Sequence, residues 1–240
     1  MDFDVFEYTG RGGRTVNEDS VGHITAENTG GFLVADGLGG HALGEVASAT
    51  VKDTVLKALG SFDMAPEDAI TESVKTANEV VLDIQRDKNQ ILKSTLALLL
   101  IMPLDIYMAN VGDSRVYMLR DGEITEYTND HSVAFKKYKA GEITREEIGF
   151  DEDQSSLLRT IGNEERYEPE IHHLNIVPRK GDAFLLCSDG FWEYVNDMEI
   201  TMDLAKATSA EDWAVKLLKR AMDRVNGDND NITVQTVIIN

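Results

Sequence analysis

The chain has 240 residues, 43 of them acidic against 23 basic, for a formal net charge of −20. That surplus argues against a nucleic-acid binder, which needs clustered Lys and Arg to meet phosphates; by itself it describes an acidic protein whose copies repel one another. The length suits one domain with a substantial core, and four prolines with no Gly/Ser-rich or Ser/Pro-rich stretch leave no linker, so 1–240 is expected to be a single domain.

The N-terminus, MDFDVFEYTG, alternates polar and apolar side chains and reads as a strand over 3–9, not as a basic-then-apolar signal peptide. Further strands are expected at 20–26 and 31–35, joined by the turn-rich ENTGG. Apolar residues at helical spacing (Val46, Ala49, Val51, Val55, Leu56, Leu59) predict a helix over 41–59 stopped by Gly60, and Pro66-Glu67 lies in the opening of a second over 63–86. A meander follows, with strands at 95–102, 106–111, 115–119 and 124–127 and connections short enough to favour antiparallel pairing. Residues 132–152 are charged and weakly helical. Strands return at 170–176 and 183–188, helices at 193–207 and 211–225, and a last strand at 232–239. Antiparallel strands with helices in separate blocks predict an α+β fold whose sheets are covered by helical layers.

The longest apolar run, TLALLLIMPL, is too short to span a bilayer. The one cysteine, Cys187 in AFLLCSDG, is expected to be a buried thiol in a reducing compartment. A cytoplasmic protein without membrane contact is the expectation.

Acidic residues stand repeatedly where the expected strands begin or end: Asp36 after GFLVA, Asp113 after YMANVG, Asp189 after FLLCS, and Asp230 ahead of NITVQTVII. If ENTGG is a hairpin turn centred near Asn28, Asp19 and Asp36 lie opposite each other at the open end of that hairpin. Asp189 ends a strand in the same sense as Asp36, and Asp230 begins one, so antiparallel placement brings it to the same edge. Two unit charges about 4 Å apart repel by roughly 4 kcal/mol at an effective dielectric near 20, so such a cluster calls for cations, and all-oxygen ligands suit Mg²⁺ or Mn²⁺. Each Asp beside a Gly is also an ordinary turn residue; their joint occurrence after apolar strands favours a metal site.

The segment Gly37-Leu-Gly39-Gly40-His-Ala42 matches a dinucleotide fingerprint, but Asp36 would sit beside the pyrophosphate and the helix leads into another helix instead of a parallel strand. No P-loop, no HExxH and no Gly-x-Ser-x-Gly elbow is present.

Taken together, RTVNEDS (14–20), VADGLGGHALGEVAS (34–48), ANVGDSRVYMLRDGEI (109–124), TNDHS (128–132), LLRTIG (157–162), GDAFLLCSDG (181–190) and DNITV (230–234) resemble the metal-dependent protein phosphatases of the type 2C (PPM) family in compact bacterial form. The resemblance implies a four-layer α-β-β-α sandwich, two antiparallel sheets between helical layers. It implies that Asp36 bridges two Mn²⁺ or Mg²⁺ ions, with the Gly37 carbonyl on one of them, Asp189 and Asp230 completing the other, and Glu18 helping through water. Asp113 corresponds to the residue holding a third, weaker ion, and Arg14 to the arginine that grips the substrate phosphate in a bidentate fork. The implied chemistry is direct hydrolysis of phosphoserine or phosphothreonine esters by water that two ions about 3.5–4 Å apart activate. The implied partners are phosphorylated proteins, substrates of a bacterial serine/threonine kinase, met by a monomer.

Two positions depart from the family pattern or extend it. Leu38 stands where many members carry a histidine after the Asp-Gly pair, and His41, of the bacterial GGH pattern, is expected to make local hydrogen bonds. Glu193, four residues after Asp189, is a further candidate for the third ion. Residues 132–156 correspond to the variable flap, whose Lys136, Lys137 and Lys139 read as a solvated charged face. A catalytically silent phosphoprotein-binding regulator of the same fold is the alternative, and a phosphatase of small phosphate esters a third reading.

Overall fold

The structure, a computed structural model, describes residues 1–39 and 43–240. Strands β1 (Phe3–Gly10), β2 (Asp19–Ala26) and β3 (Thr29–Gly39) are followed by helices α1 (Gly44–Leu59) and α2 (Pro66–Lys88). The meander comprises β4 (Leu92–Ser94), β5 (Leu96–Ile101), β6 (Ile106–Val111), β7 (Arg115–Arg120) and β8 (Glu123–Tyr127). Helix α3 (Val133–Ala140) and a single 3₁₀ turn (Ile148–Phe150) precede β9 (Glu170–His173) and β10 (Ala183–Cys187). Helices α4 (Asp189–Trp192), α5 (Asp197–Leu204) and α6 (Ala210–Arg224) lead to β11 (Ile232–Ile239).

The strands form two antiparallel sheets, ordered β1-β11-β10-β7-β8 and β2-β3-β5-β6-β9, with β4 paired to β3. The sequence explains why they stack. Along β5, Leu96, Leu98 and Leu100 face the helical side, where Val51, Val55, Ile70 and Val74 of α1 and α2 cover them. The alternate residues Ala97, Leu99 and Ile101 face the second sheet and meet Met118, Phe184 and Leu186. Leu185 and Cys187 of β10 in turn point outward to Trp213 and Leu217 of α6. Strands buried on both faces need apolar residues at every position, not at every second one, which is why LALLLI and AFLLC are continuous apolar runs. The result is the expected α-β-β-α sandwich.

Local differences from the sequence expectation have identifiable causes. The helix expected over 193–207 is shorter, α5 over Asp197–Leu204 with the four-residue α4 ahead of the expected start, because Asn196 starts α5 with a reciprocal cap: its side chain accepts from the Glu199 N–H at 3.0 Å and the Glu199 carboxylate accepts from the Asn196 N–H at 3.3 Å. The strand expected over 95–102 is β5 over Leu96–Ile101, with an unexpected short β4 before it; the break between them is at Thr95, which turns its N–H to the Asp36 carbonyl at 2.8 Å. The strand expected over 170–176 stops at His173, two residues ahead of Asn175 with its φ of 52°. The helix expected to begin at residue 41 is described from Gly44, and His41 with its expected local hydrogen bonds lies outside the described residues. Within the flap, Lys137 is tied to Asp151 and Asp153 at 2.8 Å each, so this lysine belongs to an internal clasp and not to a free charged face.

Candidate metal centre

The β2–β3 hairpin closes on a two-residue turn, Glu27-Asn28, with Asn28 in the left-handed region at φ 62°. Period-two register then pairs Asp19 with Asp36 at the open end. Thr95, between β4 and β5, fixes Asp36, its Oγ1 accepting from the Asp36 N–H at 2.9 Å. In the other sheet β10 and β11 run antiparallel with Cys187 opposite Val234, so the chain leaves β10 at Asp189 beside the Asp230–Asn231 entry to β11. The approach is close: a Cβ on Gly190 would lie 2.1 Å from the Asn231 carbonyl. Asp113 enters from the β6–β7 turn, where Gly112 has φ 93°.

Five carboxylates from the two sheets thus face one another. Asp19 and Asp113 are buried, whereas Asp36, Asp189 and Asp230 each keep part of their surface exposed. Burial first, and then its neighbours Asp19, Asp189, Asp113 and Asp230, hold Asp36 well above the ordinary carboxylate range. Burial likewise lifts Asp113, with Asp189 and Asp130 adding to it, and pushes Asp189 up to about 6, with Asp230 the leading charge. Asp19 is pushed up to about 7, again first by burial; hydrogen bonds from Thr233 and Ser188 only partly offset this. Asp36 and Asp189 are within hydrogen-bonding reach of each other.

The remaining expected residues take particular places. Arg14 is largely exposed and donates from Nη2 to Asp230 Oδ2 at 2.7 Å, a cation at the edge of the acidic cluster. The Glu18 carboxylate accepts from the Gly44 N–H at 3.0 Å, and its carbonyl accepts from Gly37 N–H at 3.1 Å and Ser48 Oγ at 2.5 Å. Glu18 therefore pins the start of α1 to the hairpin. Gly37 is packed so tightly there that a Cβ would fall 2.0 Å from the Gly44 carbonyl oxygen. Glu193 stands near Asp189, its carboxyl pushed up to about 8 by burial and then by that charge. Glu193 and Trp192 also line a cavity of about 670 Å³ whose other wall is Arg145, Gly149 and Phe150 of the flap.

Sequence reasoning placed Asp19 opposite Asp36 but left it out of the ligand set; the hairpin register that located it was the signal available. It missed the support beneath Asp113. Arg115 forms a buried bidentate pair with Asp130 at 2.8 and 2.6 Å, its guanidinium lies 3.5 Å from the Trp192 ring centre, and Trp192 Nε1 donates to the Asp113 carbonyl at 2.9 Å.

Divalent cations fit this donor set. The buried carboxylates raise one another's pKa with only partial relief from Arg14 and Arg115, and among the described residues Asp19 Oδ1 is buried without a hydrogen-bond partner. Among the described residues no three acidic, His or Cys side chains come close enough together, as they stand, to hold a metal ion. All donors are oxygens, the chemistry of Mg²⁺ and Mn²⁺.

Comparison with known proteins agrees with this chemistry. A family model described as protein phosphatase 2C matches residues 11–229. The serine/threonine phosphatase stp of Listeria monocytogenes is 32% identical over 231 residues, covering 92% of this chain and 89% of the relative. The serine/threonine protein phosphatase PstP of Mycobacterium tuberculosis is 32% identical over 229 residues, and there the match spans 92% of this chain but only 42% of the relative. The solved catalytic domain of a PstP in complex with two manganese ions superposes with a TM-score of 0.84 at 28% identity, covering 99% of each chain.

Proposed function

Because the chain belongs to the protein phosphatase 2C family, we propose that it is a metal-dependent serine/threonine protein phosphatase hydrolysing phosphoserine and phosphothreonine esters. What supports this reading is that the partly exposed Asp36, Asp189 and Asp230 and the buried Asp19 and Asp113 lie near enough for the charges of the other four to act on Asp36. Asp36, the Gly37 carbonyl, Asp189 and Asp230 would hold a pair of Mn²⁺ or Mg²⁺ ions, with Glu18 acting from behind and Asp113 serving a third. When bound, the cations supply Lewis-acid activation of water and neutralise charge on the phosphoryl group.

The chain's own residues supply the rest. Arg14, exposed at the edge of the acidic cluster with its guanidinium beside Asp230, is placed to take the phosphoryl oxygens of an incoming ester and hold phosphorus in line. Thr95 and the Glu18–Gly44 contact keep the Asp36–Gly37 backbone fixed while charge develops. Cys187 is buried and its thiol is pushed up by that burial, so no thiolate nucleophile is on hand and the phosphoryl group passes directly to water. Leu38 offers no proton to the leaving oxygen. The substrates are phosphorylated proteins supplied by a serine/threonine kinase, and the flap cavity beside Glu193 is where their flanking residues would lie. The protein would act as a cytoplasmic monomer in signalling; none of the described helices is long and apolar enough to cross a membrane.

The test is hydrolysis of p-nitrophenyl phosphate and of a phosphothreonine peptide with and without Mn²⁺. Turnover that requires the metal and disappears in Asp36→Asn and Asp189→Asn supports the proposal. Metal-dependent binding of the peptide without turnover would favour the silent regulator instead.

A further inference from the structure

The carboxylate of the TNDHS segment, Asp130, is paired with Arg115, and the segment's histidine occupies a junction. The His131 N–H donates to the Gly112 carbonyl at 2.8 Å, and the Gly112 N–H donates back to His131 Nδ1 at 3.3 Å. Gly112, with φ 93°, is the residue that swings the chain from β6 into Asp113. The same histidine closes the flap: its carbonyl accepts from the Leu158 N–H at 2.7 Å, while the adjoining Ser132 pairs with Leu157 and caps α3 by accepting from the Phe135 N–H at 3.2 Å. Its remaining nitrogen, Nε2, lies 3.4 Å from Glu170 Oε2. Glu170 is itself held by Asn129 Nδ2 at 2.8 Å.

Since the backbone amide must be the donor to Nδ1, the ring proton sits on Nε2 and faces the Glu170 carboxylate. The ring is buried, and burial first, with the Arg159 cation second, lowers its pKa and favours this neutral form. Apart from His131, the Gly112 carbonyl has, among the described residues, only Asn110 Nδ2, at 3.2 Å. A buried amide left unpaired at this turn would cost enough to move it.

We propose that His131 is a positioning residue that, through Nδ1, holds the Gly112–Asp113 turn in place and couples the two ends of the flap to the acidic centre. This rests on the phosphatase reading only for its kinetic consequence; the geometry it asserts stands apart from turnover.

Asparagine can present an acceptor where Nδ1 sits, and glutamine a polar group where Nε2 sits, so the two variants separate the two contacts. In His131→Asn, kcat for p-nitrophenyl phosphate at saturating Mn²⁺ should stay within about threefold of wild type, while His131→Gln and His131→Ala fall about tenfold to a hundredfold with KM little changed, the range for groups that orient a ligand. In an Asp113→Asn background, His131→Ala should add less than about a twofold further loss, because it acts through that residue. Independently of activity, the Gly112 amide should exchange slowly in the wild type and in His131→Asn but rapidly in His131→Gln. The ¹⁵N spectrum of the wild-type imidazole should show an unprotonated Nδ1.

Rescue by Gln but not Asn, wild-type kcat in all three variants, multiplied losses in the double variant, or a proton on Nδ1 would each overturn the proposal. If the wild type shows no metal-dependent turnover, the phosphatase reading fails, and amide exchange and the ring spectrum still decide the role of His131. Should the variants not fold, the wild-type spectrum alone decides it.

Discussion

Replacing Asp19 by Asn should stabilise the protein when metal is withheld. Asp19 has a folded pKa of about 7 against an ordinary 3.8, so the folded state holds on to a proton that the unfolded chain has released. Stability therefore falls as pH rises from about 4 to about 7 and flattens above that. The shift of about three units, at 1.36 kcal/mol each, amounts to about 4 kcal/mol near pH 8. Because Asp36 and Asp189 titrate with it, the part recovered at this one position is about 2–4 kcal/mol. Asparagine keeps an oxygen for Ser188 Oγ, which now donates to Asp19 Oδ2 at 2.8 Å, and removes the negative charge from a carboxylate whose Oδ1 has no partner among the described residues. For a domain of this size that is a rise of roughly 4–16 °C in Tm. Thermal unfolding in a chelator at about pH 8 and about pH 5 reads it, with the gain largest at the higher pH. Adding Mn²⁺ should shrink the advantage, since the ions offset the same repulsion. An Asn variant that melts below wild type in chelator, or gains equally at both pH values, would refute the claim that uncompensated carboxylates strain the metal-free site.

Two further perturbations probe how the site is built. Gly37→Ala forces a Cβ to within 2.0 Å of the Gly44 carbonyl oxygen, so denaturant unfolding should show a loss of at least about 1–3 kcal/mol; an unchanged midpoint would contradict the packing. Asp130→Ala strands the Arg115 cation, whose side chain is 6% exposed, and should cost about 3–5 kcal/mol, with the Trp192 fluorescence shifting as its stacked partner moves. A cost below about 1 kcal/mol would mean the pair is not sealed from water.

The sequence carried the hairpin clearly, because Asn28 permits a left-handed turn and period-two counting from it places Asp19 against Asp36. It carried the edge on which Asp189 and Asp230 meet, since antiparallel pairing follows once both flanking runs are strands. It also carried, unread, the Asn196-x-x-Glu199 capping box that divides α4 from α5, because the residues on either side keep helical composition. Other features had no local signal. The break at Thr95 depends on the backbone of Asp36 in another strand, and the Arg115–Asp130–Trp192 stack joins β7, the segment before α3, and α4. The Glu18 contact to the start of α1 spans 26 residues and depends on how the hairpin packs on that helix. The flap resisted assignment because its one regular helix rests on Ser132 as a cap and on contacts with residues 156–158, not on an amphipathic stripe.

The central claim is that Asp36, Asp189 and Asp230 gather divalent cations, and anomalous diffraction from crystals soaked in Mn²⁺ addresses it most directly. The account predicts two strong peaks about 3.5–4 Å apart among these three side chains. A well-ordered map without anomalous density there, the carboxylates turned away from one another, would contradict it.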